Sequence, residues 1–340
     1  MTAIEEFLDL DGNRLLAYAH KGNPSSNDVI VFFHGVFGIG RVSPALFEKD
    51  VHYLAPTLPG WGNSSPPPPS MTFHDYLYEV ITVLVTHFHP VTKNIRLYVT
   101  GAFYGTVAAQ MLYGASYDDF PLGKQIAGLM LVCPLSPPHI HKDYAKCLSW
   151  GSYITLGPPS RYLPTMKFSQ LTIQDQVTSP EKATAFIHGS VQHKMSSEER
   201  EAFQRTKEMR NLSEGEAEAK IGQMMYLSVA NTWEGYLAVP KVYHSGWGGY
   251  DPTSLDDEHA TKPVLLVLVR EHEENMLMGE WLLKHMRNVH GRYEGSVMPT
   301  EDIWADFLEK CSTAVYSGVP TGRRDLPSPM SSHDCHSHAA

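Results

Sequence analysis

The stretch IRLYVTGAFYGTVAAQ, residues 95–110, decides how the rest of the chain is read. Ile95, Leu97, Tyr98 and Val99 form an apolar, β-rich run that ends at Gly101, and Gly105 opens the helix-forming run TVAAQMLY. Strand, sharp turn and helix follow one another without spacer residues. Glycines at 101 and 105 suit a turn whose strand and helix backbones pass too close for a Cβ. The spacing is that of G-x-S-x-G, in which the central residue sits on a strained turn and points into the site it serves. Here it reads Gly101-Ala102-Phe103-Tyr104-Gly105, so the frame is intact and a benzyl group stands at its centre.

Outward from that turn, strands and helices alternate. Phe7 to Leu10 and Leu15 to Ala19 flank Asp11-Gly12-Asn13, a hairpin signal. Val29 to Phe33 is an uninterrupted apolar run, as in a strand buried on both faces, and His34-Gly35-Val36-Phe37-Gly38 follows at once. Val51 to Ala55 is the next strand, ending in PTLPGWGNSS, and Pro66 to Pro69 is a rigid polyproline stretch. Helical spacing of Phe73, Tyr76, Leu77, Val80 and Leu84 predicts a helix from about Thr72 to His87. Ile126 to Cys133, Pro263 to Val269 and Val289 to Glu294 complete the strands.

Between Leu135 and about Ala260 the rhythm breaks into short helical pieces, with helices expected around 197–212, opened by the capping pair Ser196 and Glu199, and around 217–231. Further helices are expected at 277–286 and from Pro299 onward, with Ile303, Trp304, Phe307 and Leu308 on one face. The division that results is a core first part, 1–134, a helical cap insertion, 135–260, a core second part, 261–317, and a disordered tail, 318–340. Strand–helix alternation predicts a mostly parallel sheet with right-handed crossovers.

Composition narrows the classes. A hydrophobic share of 42% supports a real core, and a formal charge of −10 argues weakly against nucleic acid and anionic membranes as partners. Cys133, Cys147, Cys311 and Cys335 show no C-x-x-C spacing; Cys133 and Cys147 read as buried thiols, and a reducing, cytoplasmic setting fits. There is no secretory pattern at the N-terminus and no apolar run of membrane-spanning length. The tail cluster His333, Asp334, Cys335, His336 and His338 has metal-like composition but no framework, so no metal and no cofactor is expected.

The order of these motifs resembles the α/β-hydrolase fold family over roughly residues 5–312, nearest its fungal-type, proline-iminopeptidase-like and epoxide-hydrolase-like branches. The pieces that carry it are a strand then His34-Gly35, the run Leu58-Pro59-Gly60-Trp61-Gly62-Asn63-Ser64, the 101–105 frame, the helical insert, and a late strand followed by an acidic loop. The resemblance implies an α/β fold with a mostly parallel eight-stranded sheet, helices on both faces and a helical cap.

In such enzymes a serine or aspartate attacks, a histidine takes a proton and an acid orients the histidine. Phe103 occupies the nucleophile position and can do none of this. The resemblance puts oxyanion-hole donors on the backbone of Tyr104 and Val36 (or Phe37) and makes His34 a structural anchor. Glu273, in Arg270-Glu271-His272-Glu273-Glu274, takes the acid position. The histidine turn reads Gly295-Ser296-Val297-Met298-Pro299 and holds no histidine. His290 precedes it inside a strand, His272 is a poorer substitute, and Ser116 lies at the far end of the following helix. Removing the nucleophile of a serine enzyme costs about a million-fold in turnover, so any hydrolysis is expected at that residual level. The expectation is a catalytically impaired protein that binds a small, partly apolar ligand under the cap, or a partner. The alternatives are an active hydrolase of small esters, amides or epoxides with a mis-registered triad, and a cofactor-free lyase-type activity.

Overall fold

A computed structural model of the chain describes residues 5–42, 49–193, 195, 197–209, 211–294 and 300–317. The hairpin β1 (Glu6–Leu10) and β2 (Arg14–Gly22) opens the chain. Its turn places Gly12 at φ +76° and Asn13 at φ +59°, the two residue types that enter the left-handed region most readily. Six strands follow: β3 (Asp28–Phe33), β4 (His52–Pro56), β5 (Arg96–Ala102), β6 (Ile126–Val132), β7 (Val264–Val269) and β8 (Val289–Glu294). They form one eight-stranded sheet in the order β1-β2-β4-β3-β5-β6-β7-β8. β2 is antiparallel to both its neighbours, and every pair from β4 to β8 is parallel. All eight strands fall on runs expected from the sequence.

The central strands are apolar on both faces because both faces are covered. Val29, Val31 and Phe33 of β3 join a core with α1 (Phe73–Phe88) and α2 (Gly105–Tyr113), while Ile30 and Phe32 face the opposite layer. That second layer is closed by Ile303, Trp304, Phe307 and Cys311 of α11 (Glu301–Ser317). Thr72 caps α1, its hydroxyl accepting the Asp75 N–H at 3.2 Å.

Every element between β6 and β7 among the described residues is helical: α3 (Trp150–Thr155), α4 (Thr165–Ile173), α5 (Pro180–His193), α6 (Ser197–Met209), α7 (Glu216–Val229), α8 (Glu234–Tyr243) and α9 (Asp257–Ala260). After β7, α10 (Glu273–His285) begins a full turn earlier than the sequence suggests. The reason is local: Glu273 and Glu274 lie in its first turn, where the helix dipole favours negative charge. Cys133 and Cys311 are buried free thiols; Cys147 is only half-buried, short of the burial its apolar surroundings suggest. Ser196, the 295–299 turn, the tail 318–340 and its histidine cluster lie outside the described residues.

Candidate active site

The β5–α2 turn sits at the carboxyl end of the central strand. Phe103 adopts φ +51° there, a conformation rare for a bulky side chain. The surroundings hold it. Its N–H donates to Val132 O of the neighbouring strand at 2.9 Å, and its carbonyl accepts from the Thr106 N–H at 3.0 Å and the Thr106 hydroxyl at 2.5 Å. The same hydroxyl accepts from the Leu135 N–H, so the turn is tied to the chain leaving β6. A Cβ on Gly101 would lie 2.4 Å from Gly105 O, and one on Gly105 would lie 2.2 Å from Phe33 O. The two glycines are therefore steric requirements, as their spacing suggests.

Two loops converge on this turn. Gly35, after β3, leans on it: a Cβ there would meet the Phe103 Cβ at 3.3 Å. Among the described residues, neither the Val36 N–H nor the Tyr104 N–H donates to a protein acceptor. His34 anchors the loop, donating from Nδ1 to Gly35 O at 2.8 Å and accepting the Leu58 N–H on Nε2 at 2.9 Å. Burial lowers its pKa to about 4, so it is neutral at pH 7. From the other side comes the loop after β7. His272 stands at the N-terminal boundary of α10 and sets its ring edge-on to that of Phe103, with centroids 5.2 Å apart at 88°.

The other sequence candidates are elsewhere or differently used. Glu273 is exposed on the first turn of α10. Its neighbour Glu271 faces inward, pairs with Arg205 of α6 at 2.6 Å and keeps one buried oxygen without a hydrogen bond. Burial, with a smaller contribution from Glu271, pushes the Cys133 thiol up to about 12, so no thiolate nucleophile forms beside the turn. His290 lies on β8 opposite Leu265, three strands from β5. Ser116 is exposed and donates to Asp119 at 2.8 Å. Tyr104 is buried, and burial raises its phenol pKa. Among the described residues no group of three or more His, Cys, Asp or Glu could hold a metal ion.

An aromatic cluster gathers around the loop after β3. Phe37, at φ +58°, stacks on Tyr236 of α8 with centroids 4.9 Å apart and meets Trp61 and Trp233 edge-on. The helical insert is fastened here by main-chain bonds: Gly235 N–H to Gly60 O at 2.7 Å and Gly62 N–H to Ser228 O at 2.8 Å, with Asn231 donating to Asn63. Two open surface grooves lie elsewhere, one along Pro66–Pro69 (about 540 Å³) and one between α5 and α7 (about 590 Å³). Neither touches Phe103, Tyr104 or Val36. The sequence offers Phe37 only as an alternative backbone donor and Glu271 only as part of the acidic loop; the ring stacking of Phe37 on Tyr236 and the inward turn of Glu271 appear only in the structure. Nothing in a one-dimensional pattern says which residue of an acidic loop turns inward.

One further serine–histidine pair exists. Ser136, just after β6, lies 2.7 Å from His141 Nδ1, and both are buried. Burial lowers the His141 pKa to about 4, and its ring stacks on Trp281 at 4.5 Å.

The chain matches no protein-family model and no curated protein sequence. Solved structures do resemble it. An α/β hydrolase enzyme from a Medee basin deep-sea metagenome library shares 14% identity, with 96% of this chain and 100% of that one covered at a TM-score of 0.50. A hydrolase from Pseudomonas aeruginosa PA01 shares 14%, covering 92% and 97% at 0.52, and a lipase in its open form 13%, covering 92% and 98% at 0.53. At such identities the likeness concerns architecture. The chain has the α/β-hydrolase fold: an eight-stranded, mostly parallel sheet with helices around it.

Proposed function

We propose that this α/β-hydrolase-fold chain keeps the nucleophile-elbow frame without its chemistry, and is a catalytically impaired protein that binds a small apolar ligand or a partner. One observation carries the reading. At the tip of the turn, in the left-handed conformation that a nucleophile takes in such folds, stands Phe103, whose ring has no lone pair to attack with. The free N–H groups of Val36 and Tyr104 fit the positions of oxyanion donors, and an oxyanion site without a nucleophile can polarise a carbonyl but not open it. His272 meets Phe103 ring to ring, so the imidazole packs against the place where it would need a hydroxyl to deprotonate.

The insert between β6 and β7 acts in this reading as a cap closed over the turn by Phe37, Trp61, Trp233 and Tyr236. A ligand entering there displaces aromatic contacts, which selects for flat or apolar molecules.

A second reading, an active hydrolase with a non-standard pair, is favoured by Ser136 and His141 at 2.7 Å. Both are buried, which denies a substrate access to them. A fluorophosphonate probe separates the two. No labelling is expected of the wild-type chain; covalent labelling abolished by Ser136→Ala overturns the first reading. Phe103→Ser alone is expected to leave ester hydrolysis near the residual level of about 10³–10⁴-fold over water, because the 295–299 turn, where the resemblance puts the base, has no histidine. Restored turnover in that variant, measured on p-nitrophenyl esters, contradicts it.

A further inference from the structure

Half of the exposed large apolar side chains among the described residues rise from one short part of the insert. Trp150 and Ile154 are exposed four residues apart on α3, and Phe168 and Leu171 three apart on α4, so each pair shares a helix face. Tyr162 and Leu163 stand in the connection between them. Trp150 is 76% exposed, Tyr162 82% and Phe168 61%. The opposite face of α4 is fully employed: Met166 and Gln170 are buried, and the Ser169 hydroxyl lies 2.7 Å from that of Tyr236. Both helices pack on one another and on the single turn Pro158–Arg161, so the six side chains belong to one unit. Apolar surface gathered in this way on a folded chain marks an interaction site.

The charge around it runs against the rest of the molecule. The chain carries −10, yet residues 142–171 hold Lys142, Lys146, Arg161 and Lys167 against Asp143 alone, a local net of +3. All four cations are exposed. Lys146 pairs with Asp143 at 2.9 Å, Lys167 reaches Gln170 at 2.8 Å, and the Arg161 guanidinium sits 6.0 Å from the centre of the Tyr162 ring. Two carboxylates border the patch: Glu274, which accepts the Ser149 N–H, and Asp175, which follows α4.

We propose that the outer face of α3 and α4 docks on an anionic lipid surface. Trp150, Tyr162 and Phe168 enter at headgroup depth, and Arg161, Lys167, Lys142 and Lys146 meet the lipid anions. Rings with one polar end, aliphatic side chains and flanking cations are the set that favours the boundary between headgroups and acyl chains. The sign fits the occupant, since an anionic leaflet attracts this patch and repels the remainder of the chain, which fixes the orientation. A second copy fits less well, because a two-fold contact would set the four cations against their own images. No helix among the described residues is long and apolar enough to cross a membrane, so the contact is one of lying on the surface. The whole-chain charge argued against anionic membranes because it averages over a surface whose charge is unevenly placed.

The test is cosedimentation of the full chain with vesicles of phosphatidylcholine, with and without phosphatidylserine. Binding is expected to the phosphatidylserine vesicles and to weaken as salt shortens the Debye length. The pair Trp150→Ser and Phe168→Ser, changed together, is expected to lower the association constant by about tenfold or more while the melting temperature holds. The pair Arg161→Glu and Lys167→Glu is expected to erase the preference for phosphatidylserine. Three results overturn the proposal: no binding to either vesicle, binding unaffected by the serine pair, or a concentration-dependent dimer, seen in sedimentation velocity and abolished by the serine pair, without vesicle binding.

Discussion

The helical insert carries two populations of aromatic side chains, and they behave oppositely. Trp233 and Tyr236 turn inward to Phe37 and Trp61, and the main chain around them is bonded to the 58–65 loop. Trp150, Tyr162 and Phe168 turn outward and meet no core. Ser169 and Phe168 are adjacent in sequence, yet one bonds inward to Tyr236 and the other is exposed. The inward set explains how the insert is held; the outward set is left over by folding and calls for something outside the chain. Apolar character alone does not separate them, since both are equally hydrophobic.

Mutation can break that contrast. Trp61→Ala removes a fully buried ring that touches His34, Phe37 and Tyr236, and is expected to cost roughly 3–5 kcal/mol, read by chemical denaturation. A cost near zero would mean the insert is not held at this point. Gly235→Ala places a Cβ 2.5 Å from Trp61 Cδ1 and 2.7 Å from Gly60 O, where only one neighbour is a side chain able to shift. A loss of about 1–3 kcal/mol is expected, with altered tryptophan fluorescence.

Acid probes the same seam. His34 has its pKa lowered to about 4 by burial, against an ordinary value of 6.5, so below pH 6.5 the unfolded chain takes up a proton that the folded chain refuses. Stability therefore falls as pH drops from about 6.5 toward 4. His34 alone contributes a loss of about 2 kcal/mol by pH 5. His52, lowered to about 3 by burial with smaller contributions from His89 and His20, and His141 act in the same direction. Thermal melts between pH 7 and 5 check this, and a flat profile contradicts the buried neutral imidazoles. The smallest effect belongs to the outer set: Phe168→Ser is expected to change stability by less than about 0.5 kcal/mol, since the ring leaves no cavity. A large loss there would show that the outer face packs against part of the chain itself.

The legibility of the molecule follows the same division. Strands β2 to β7 were readable because each is a run of residues buried on one or both faces, a requirement local to the run, and β1 was readable from the Asp11-Gly12-Asn13 hairpin signal. The turn at 101–105 was readable because its glycines answer to a single close approach within one strand–turn–helix unit. The site around it was readable only in part. Phe103, Tyr104 and Val36 belong to motifs with fixed spacing, and the loop after β3 does reach the turn, with Gly35 against Phe103. Spacing points to Glu273 for the acid position, and the structure sets it, exposed, in the first turn of α10. His272, passed over in favour of the turn before α11, is the imidazole that meets Phe103.

By itself the sequence determined the strand and helix runs, the glycine-framed turn with Phe103 at its centre, and the uneven placement of charge. Those are properties of neighbours along the chain: burial periodicity, steric demand and the identity of an atom. Only the tertiary structure decided that Phe37 stacks on Tyr236, that Glu271 rather than Glu273 faces inward, and which aromatics of the insert remain outside. Those outcomes depend on which segments arrive at the carboxyl edge of the sheet together, and residues far apart in sequence carry no local record of that meeting.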